Sequence, residues 1–169
     1  DQLKELLQRV KQAHDSLKTK PLLLVKISPD QTEKQARDIA EVVLASGIDG
    51  MIIGNTTATR PASITNPVAK ERGGLSGKPL FEMSTKLLGT MYQLTEGKIP
   101  IIGCGGVFSG EDAYKKIRAG ASLVQIYTAM IYEGPIVVSK INKELAALLK
   151  RDGFSCVNDA VGADFRRSK

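Results

Sequence analysis

A parallel α/β fold is predicted for this chain of 169 residues by two observations. A helical pattern is followed by four strand–helix units, and all four apolar runs end in polar or glycine-rich residues. Repeated strand–helix units need a parallel sheet covered by helices. Right-handed crossovers then leave two architectures, a small doubly wound open sheet or half of a (β/α)8 barrel. Four strands do not close a barrel, so the second choice requires partner strands from a segment outside this chain.

Residues 3–17 place Leu3, Leu6, Leu7, Val10, Ala13 and Leu17 at helical spacing. "PLLLVKISPD" is a short apolar run closed by Ser-Pro-Asp, read as a strand buried on both faces. The next helix puts Ala36, Ile39, Ala40, Val43 and Leu44 on one side, with Asp30 or Thr32 as N-cap and Gly47 just past its end. "GMIIGN" is the second strand. The long segment that follows has no periodicity, and aperiodic loops of this length are usually functional or disordered.

A helix from about Leu80 to Thr95 turns Met83, Leu87, Leu88, Met91 and Leu94 inward and stops at Gly97. "IPIIGCGG" is the third strand. Ser109 with Asp112 reads as a capping box, Asp standing in for Glu, and Gly120 closes that helix. "SLVQIYT" is the fourth strand. Pro135 opens a last long helix with Val138, Ile141, Leu145, Leu148 and Leu149 inward, ended by Gly153, and the tail has room for one more turn.

Composition narrows the function classes. A hydrophobic fraction of 42% and a charged fraction of 25% are ordinary for a soluble globular domain. No apolar run reaches the ~20 residues of a membrane span, and no signal peptide is visible. The chain starts with Asp1 inside a helical pattern and reads as a piece of something longer. Cys104 and Cys156 form neither a disulfide framework nor a metal-ligand spacing, and reduced thiols suit an intracellular compartment. One histidine, His14, is read as a solvated surface residue, and no metal site is expected. The net charge of +6 is scattered, with no Trp to stack bases, so nucleic acid is not an expected partner.

In parallel α/β folds ligands bind at the C-terminal strand ends. The glycines at 103, 105 and 106 let backbone N–H groups approach a ligand, and the turn near Thr128 aims further donors at an anion. A phosphate between the last two strand ends is one reading; tight strand–helix packing without ligand is the other. Gly-Cys-Gly-Gly is not a dinucleotide fingerprint. Lys26, in an otherwise apolar strand, either meets an anion or extends its ammonium to solvent at the strand end. Asn55, Thr56 and Thr57 suit a planar amide or carboxylate, or simply turn the chain out of the strand. Cys104 has no histidine base and is read as a small filler, and Ser28 as a turn residue before Pro29.

Six motifs in order carry a family resemblance: "VKISPD", "IDGMIIGNTT", "GGLSGKPL", "IPIIGCGG", "IRAGASLVQIYTA" and "DAVGAD". Together they resemble the C-terminal half of dihydroorotate dehydrogenases, in particular the class 2, membrane-associated enzymes that use a quinone. The resemblance implies that residues 1–169 are strands five to eight of an FMN-binding (β/α)8 TIM barrel, completed by an N-terminal segment not in this chain. It implies oxidation of dihydroorotate to orotate in de novo pyrimidine biosynthesis, with electrons passed to a quinone. Lys26 matches the lysine beside the flavin ring. Gly54, Ser76 and Gly77 match flavin contacts, and Gly105, Gly106, Tyr127 and Thr128 match the phosphate cradle. Asn55 and Thr56 match the pair that binds orotate.

Gly54 stands where relatives often carry Thr, and Cys104 where another small apolar residue is common. No residue here matches the family's proton-abstracting serine, which lies in the N-terminal half together with the membrane-binding helices. The implied location is the mitochondrial inner membrane in a eukaryote or the bacterial inner membrane, peripherally attached. The alternatives are another FMN-dependent barrel oxidoreductase (a class 1 dihydroorotate dehydrogenase or a pyrimidine-reducing enzyme) and a non-catalytic module binding a phosphate ligand.

Overall fold

The computed structural model describes residues 2–62 and 64–166. Four strands, β1 (Leu24–Ile27), β2 (Gly50–Ile53), β3 (Ile101–Cys104) and β4 (Leu123–Gln125), form one parallel sheet in sequential order. Helix α1 (Gln2–Asp15) precedes β1. The crossovers are α2 (Glu33–Ser46), α3 (Phe81–Leu94) and α4 (Gly110–Arg118). After β4 come α5 (Thr128–Glu133), α6 (Ile136–Arg151) and α7 (Val157–Ala160).

Sequential order decides between the two architectures left open by the sequence. Right-handed crossovers between successive neighbours put every helix on the same face of the sheet. A doubly wound sheet needs a reversal of strand order to cover its second face, and none is present. The fold is therefore half of a barrel.

The register shows the two faces directly. Ile27, Ile53 and Gly103 align in one row and are all buried beneath the helices. The adjacent row, Lys26, Ile52, Ile102 and Leu123, faces the other way and is only partly covered or exposed. Two-sided burial of the first strand, expected from its apolar run, is thus not met within this chain. The reason is topological: among the described residues no helix covers the concave face.

Local chemistry fixes the helix ends. Thr32, not Asp30, caps α2: its hydroxyl accepts from the Gln35 N–H at 3.3 Å, and the Gln35 side chain accepts from the Thr32 N–H at 2.9 Å. The Ser109–Asp112 box forms as its spacing predicts, at 3.1 and 3.0 Å. Between the helices and β1–β3 lies a core of Val43, Met51, Ile53, Leu88, Met91 and Ile101. Each such side chain contributes roughly 1.5–3 kcal/mol by leaving water. A second cluster joins Phe81, Val107, Ala113, Ala129, Val137 and Ile141, so α3, α4 and α6 are locked together beneath the β3 and β4 exits.

Several expectations shift. Helix α1 buries Leu7 but leaves Leu6 and Val10 exposed, and it stops at Asp15, so Leu17 lies beyond its end and is exposed too. Leu44 and Val138 are also more exposed than their helical phase suggested. The fourth strand is only three residues long, and α5 was not anticipated. His14 is tethered rather than solvated: its Nε2 lies 2.7 Å from the Pro21 carbonyl oxygen.

Candidate active site

The strand exits are held apart and in register by backbone bonds that continue past the ladder. The Gly54 N–H donates to the Cys104 carbonyl at 3.0 Å and the Asn55 N–H to the Ile27 carbonyl at 3.0 Å. Residues 54 and 55 are therefore pinned to both neighbouring strands. The Asn55 side-chain oxygen accepts the Thr56 N–H at 2.9 Å, which orients its amide and leaves the NH2 group as a donor.

The long loop after β2 folds back on itself. Thr57 and Leu75 exchange two backbone hydrogen bonds, at 3.1 and 2.8 Å. This bridge delivers Ser76 and Gly77 beside Asn55 and Thr56. Two side chains hold the loop in shape. Asp30 accepts from the Thr57 hydroxyl, from the Ala58 N–H at 2.9 Å and from the Thr59 hydroxyl at 3.3 Å. Burial pushes its carboxyl up, but these hydrogen bonds and one from Ser28 outweigh that and leave it below the usual carboxylate range. Arg60 donates to backbone carbonyls from both ends of the loop, including Ala69 at 2.9 Å and Gly73 at 2.7 Å.

The glycine turn after β3 leaves the sheet, since the β3–β4 ladder ends at Cys104 and Gln125. Gly105 and Gly106 adopt φ of +108° and +76°, in the region that L side chains rarely enter. A side chain at 106 would also strike the backbone of Phe81, its Cβ lying 2.6 Å from the Phe81 nitrogen. Positive φ and close approach together account for glycine at this position.

These exits enclose one cavity of about 270 Å3. Lys26, Gly54, Asn55, Thr56, Ser76, Gly77, Gly105, Gly106, Tyr127 and Thr128 all line it. The residues matched from the sequence to cofactor and substrate contacts are thus brought to one place. Leu80, Cys104, Phe108 and Gln125 also line it and were not anticipated as site residues. Cys104, expected to act as a small filler, is only partly covered. The signal for Gln125 was its place at the end of the fourth apolar run, two residues before Tyr127. Thr57, by contrast, is buried and serves the loop rather than the cavity.

The chemistry of the lining is one-sided. Among the described residues, Lys26 is its only charged group and no carboxylate faces in. Lys26 is exposed on the concave face, and no carboxylate pairs with it among the described residues. Hydroxyls of Thr56, Ser76, Tyr127 and Thr128 supply neutral donors. Such a lining favours an anion with a polar planar body over a cation. No group of three or more His, Cys, Asp or Glu that would hold a metal ion is found among the described residues. No helix among them is long and apolar enough to cross a membrane.

Comparison with known proteins agrees with this geometry. A family profile described as dihydroorotate dehydrogenase matches residues 1–149. The mitochondrial dihydroorotate dehydrogenase (quinone) of Oryza sativa subsp. japonica is 57% identical over 98% of this chain, which corresponds to 36% of the rice protein. The Mus musculus enzyme of the same name is 54% identical over 98% of this chain and 42% of its own length. A crystal structure of ligand-free DHODH from Eimeria tenella superposes with a TM-score of 0.93 at 44% identity, covering 98% of this chain and 50% of that one. The chain thus spans half or less of each of these relatives. By fold, strand order and extended sequence identity, it belongs to the dihydroorotate dehydrogenase family.

Proposed function

We propose that this chain forms the flavin- and orotate-binding half of a quinone-dependent dihydroorotate dehydrogenase, residues 1–169 being the C-terminal half of its FMN-binding barrel domain. The observation that carries the reading is the cavity at the strand exits, with one lysine, no carboxylate and a glycine turn of positive φ. That donor set fits FMN, whose phosphate is anionic and whose ring is planar and polar. FMN when bound supplies the two-electron chemistry, accepting hydride from dihydroorotate and passing electrons to a quinone.

The protein's part is positioning and charge. Gly105, Gly106, Tyr127 and Thr128 hold the phosphate. Lys26 places a fixed positive charge beside the reacting ring, where negative charge develops on reduction. Ser76, Gly77 and Gly54 contact the ring through backbone and hydroxyl. Asn55 and Thr56 bind the orotate, the amide matching its carboxylate and ring carbonyls. The general base that removes the substrate proton comes from outside these residues, since among the described residues the lining offers no carboxylate, histidine or paired serine suited to that role. Family membership and the relatives' names favour peripheral attachment to a mitochondrial or bacterial inner membrane, through parts not in this chain.

The test uses the complete enzyme containing this chain. Purified protein should be yellow, and dihydroorotate added without air should bleach the flavin; a ubiquinone analogue should restore the colour. Protein that holds no flavin, or whose flavin is indifferent to dihydroorotate, would overturn the assignment. Reoxidation by fumarate or NAD but not by quinone would move it to another branch of the family.

A further inference from the structure

Lys116 is fully buried, yet its ammonium meets no carboxylate within salt-bridge distance among the described residues. Burying an unpaired charge is costly, and none of the roles assigned above uses it. Its surroundings are specific. Nζ donates to the Ser84 hydroxyl at 2.8 Å and to the Thr85 hydroxyl at 3.0 Å, and lies 5.0 Å from the centre of the Phe81 ring. Ser84 in turn lies 3.2 Å from the Gly105 carbonyl oxygen and 3.1 Å from that of Phe81.

The hydrogen-bond inventory gives this chain a direction. An ammonium only donates, so the Ser84 oxygen accepts and its single proton is turned to a carbonyl. One carbonyl belongs to Gly105, the first residue of the glycine turn. The other belongs to Phe81, whose backbone packs against Gly106. The lysine stem runs beneath Gly103, where an added Cβ would sit 3.1 Å from Lys116 Cδ. Both cradle glycines are thus seated on elements that Lys116 holds, and a positive charge lies behind a turn that presents backbone to the cavity.

We propose that Lys116 is a positioning residue of the phosphate site: through Ser84 and Phe81 it fixes the Gly105–Gly106 turn, and its buried charge balances the phosphate dianion from behind. This rests on the reading of the cavity as an FMN site. It gives Lys116 a task that concerns the phosphate and not the flavin ring.

The experiment titrates flavin-free complete enzyme with FMN and with riboflavin, which lacks the phosphate, following flavin fluorescence. Lys116→Met keeps the volume and removes the charge. It should raise the Kd for FMN about tenfold, the loss of one partly screened charge contact, while riboflavin changes less than about twofold. Ser84→Ala keeps the charge and cuts the link to Gly105, and should weaken FMN about threefold with riboflavin again unchanged. Equal losses for both flavins would show a general packing role and overturn the proposal, as would FMN binding at the parental level in either variant. If Lys116→Met does not fold, Ser84→Ala alone decides on the same criteria. If the parent enzyme itself binds riboflavin as tightly as FMN, the phosphate reading fails first, and that failure is visible before any variant is made.

Discussion

Gly106→Ala is the smallest change that tests the glycine turn, and its cost follows from two observations. Gly106 has φ of +76°, and holding an L residue there costs about 1–2 kcal/mol. The new methyl would lie 2.5 Å from Phe81 Cβ and 2.6 Å from Phe81 Cα and N. Phe81 begins α3 and sits in the second core cluster, so the contact cannot be relieved by turning a side chain. Overpacking of this kind adds about 1–3 kcal/mol. The least costly escape displaces the turn away from α3, and that moves the groups assigned to the phosphate. Gly134→Ala is the matched control: φ is +71°, but nothing lies within 4 Å of the added atom. With ψ of −179° the residue lies in a region that glycine almost alone enters, so the change should cost only that backbone share, about 1–3 kcal/mol, and retain flavin. Urea unfolding of the complete enzyme measures the stability loss; the absorbance of flavin after desalting measures retention. Gly106→Val should lose flavin outright. A Gly106→Ala enzyme that matched Gly134→Ala in stability and kept its flavin would refute this role for the turn.

Lys26→Ala should slow flavin reduction by dihydroorotate on the order of tenfold or more; stopped-flow bleaching at the parental rate would reject its electrostatic role. Asn55→Ala should weaken orotate about 10–100-fold, the worth of one hydrogen bond to a charged ligand, read from the flavin spectrum during titration; an unaltered Kd would argue against it. Burial lowers the Lys116 ammonium from 10.5 to about 8, with Cys104, Asp112 and Glu82 opposing from β3, α4 and α3. The folded value lies below the unfolded one, so the unfolded chain binds more protons between them and stability rises with pH. Between pH 7 and pH 9.5 flavin-free parent enzyme should gain about 2 kcal/mol relative to Lys116→Met, and parallel urea midpoints for the two across that range would contradict the burial argument.

The fold was legible where sequence signals are local and redundant. Ser109–Asp112 names its own helix start, and Val43, Leu88 and Met91 sit at a helical period that the core confirms. The choice between open sheet and half-barrel was not legible from periodicity, because strand order is a property of pairing and only the motif resemblance pointed to the barrel. Helix α5 escaped because six residues are too few to show a period before Gly134 and Pro135 interrupt it. Lys26 was visible as a charge in an apolar run, and its place on the concave face explains it. Lys116 was hidden in a Lys-Lys pair that reads as solvated surface, although it is three residues from Ala113 and next to Ile117, both on the buried side of α4. Arg60 and Asp30 act through loop backbone, for which sequence spacing offers no template.

The half-barrel has two open margins, since among the described residues β1 and β4 each have only one neighbouring strand. Both margins expect a parallel companion, and the outer side of β4 is the complement of the outer side of β1. A second copy of the same chain would satisfy that requirement twice, four strands and four strands making a ring of eight. Each margin presents a row of unpaired backbone N–H and C=O groups, the feature that makes strand pairing with another chain favourable. Which parallel strands occupy these two margins therefore decides what the sheet closes into.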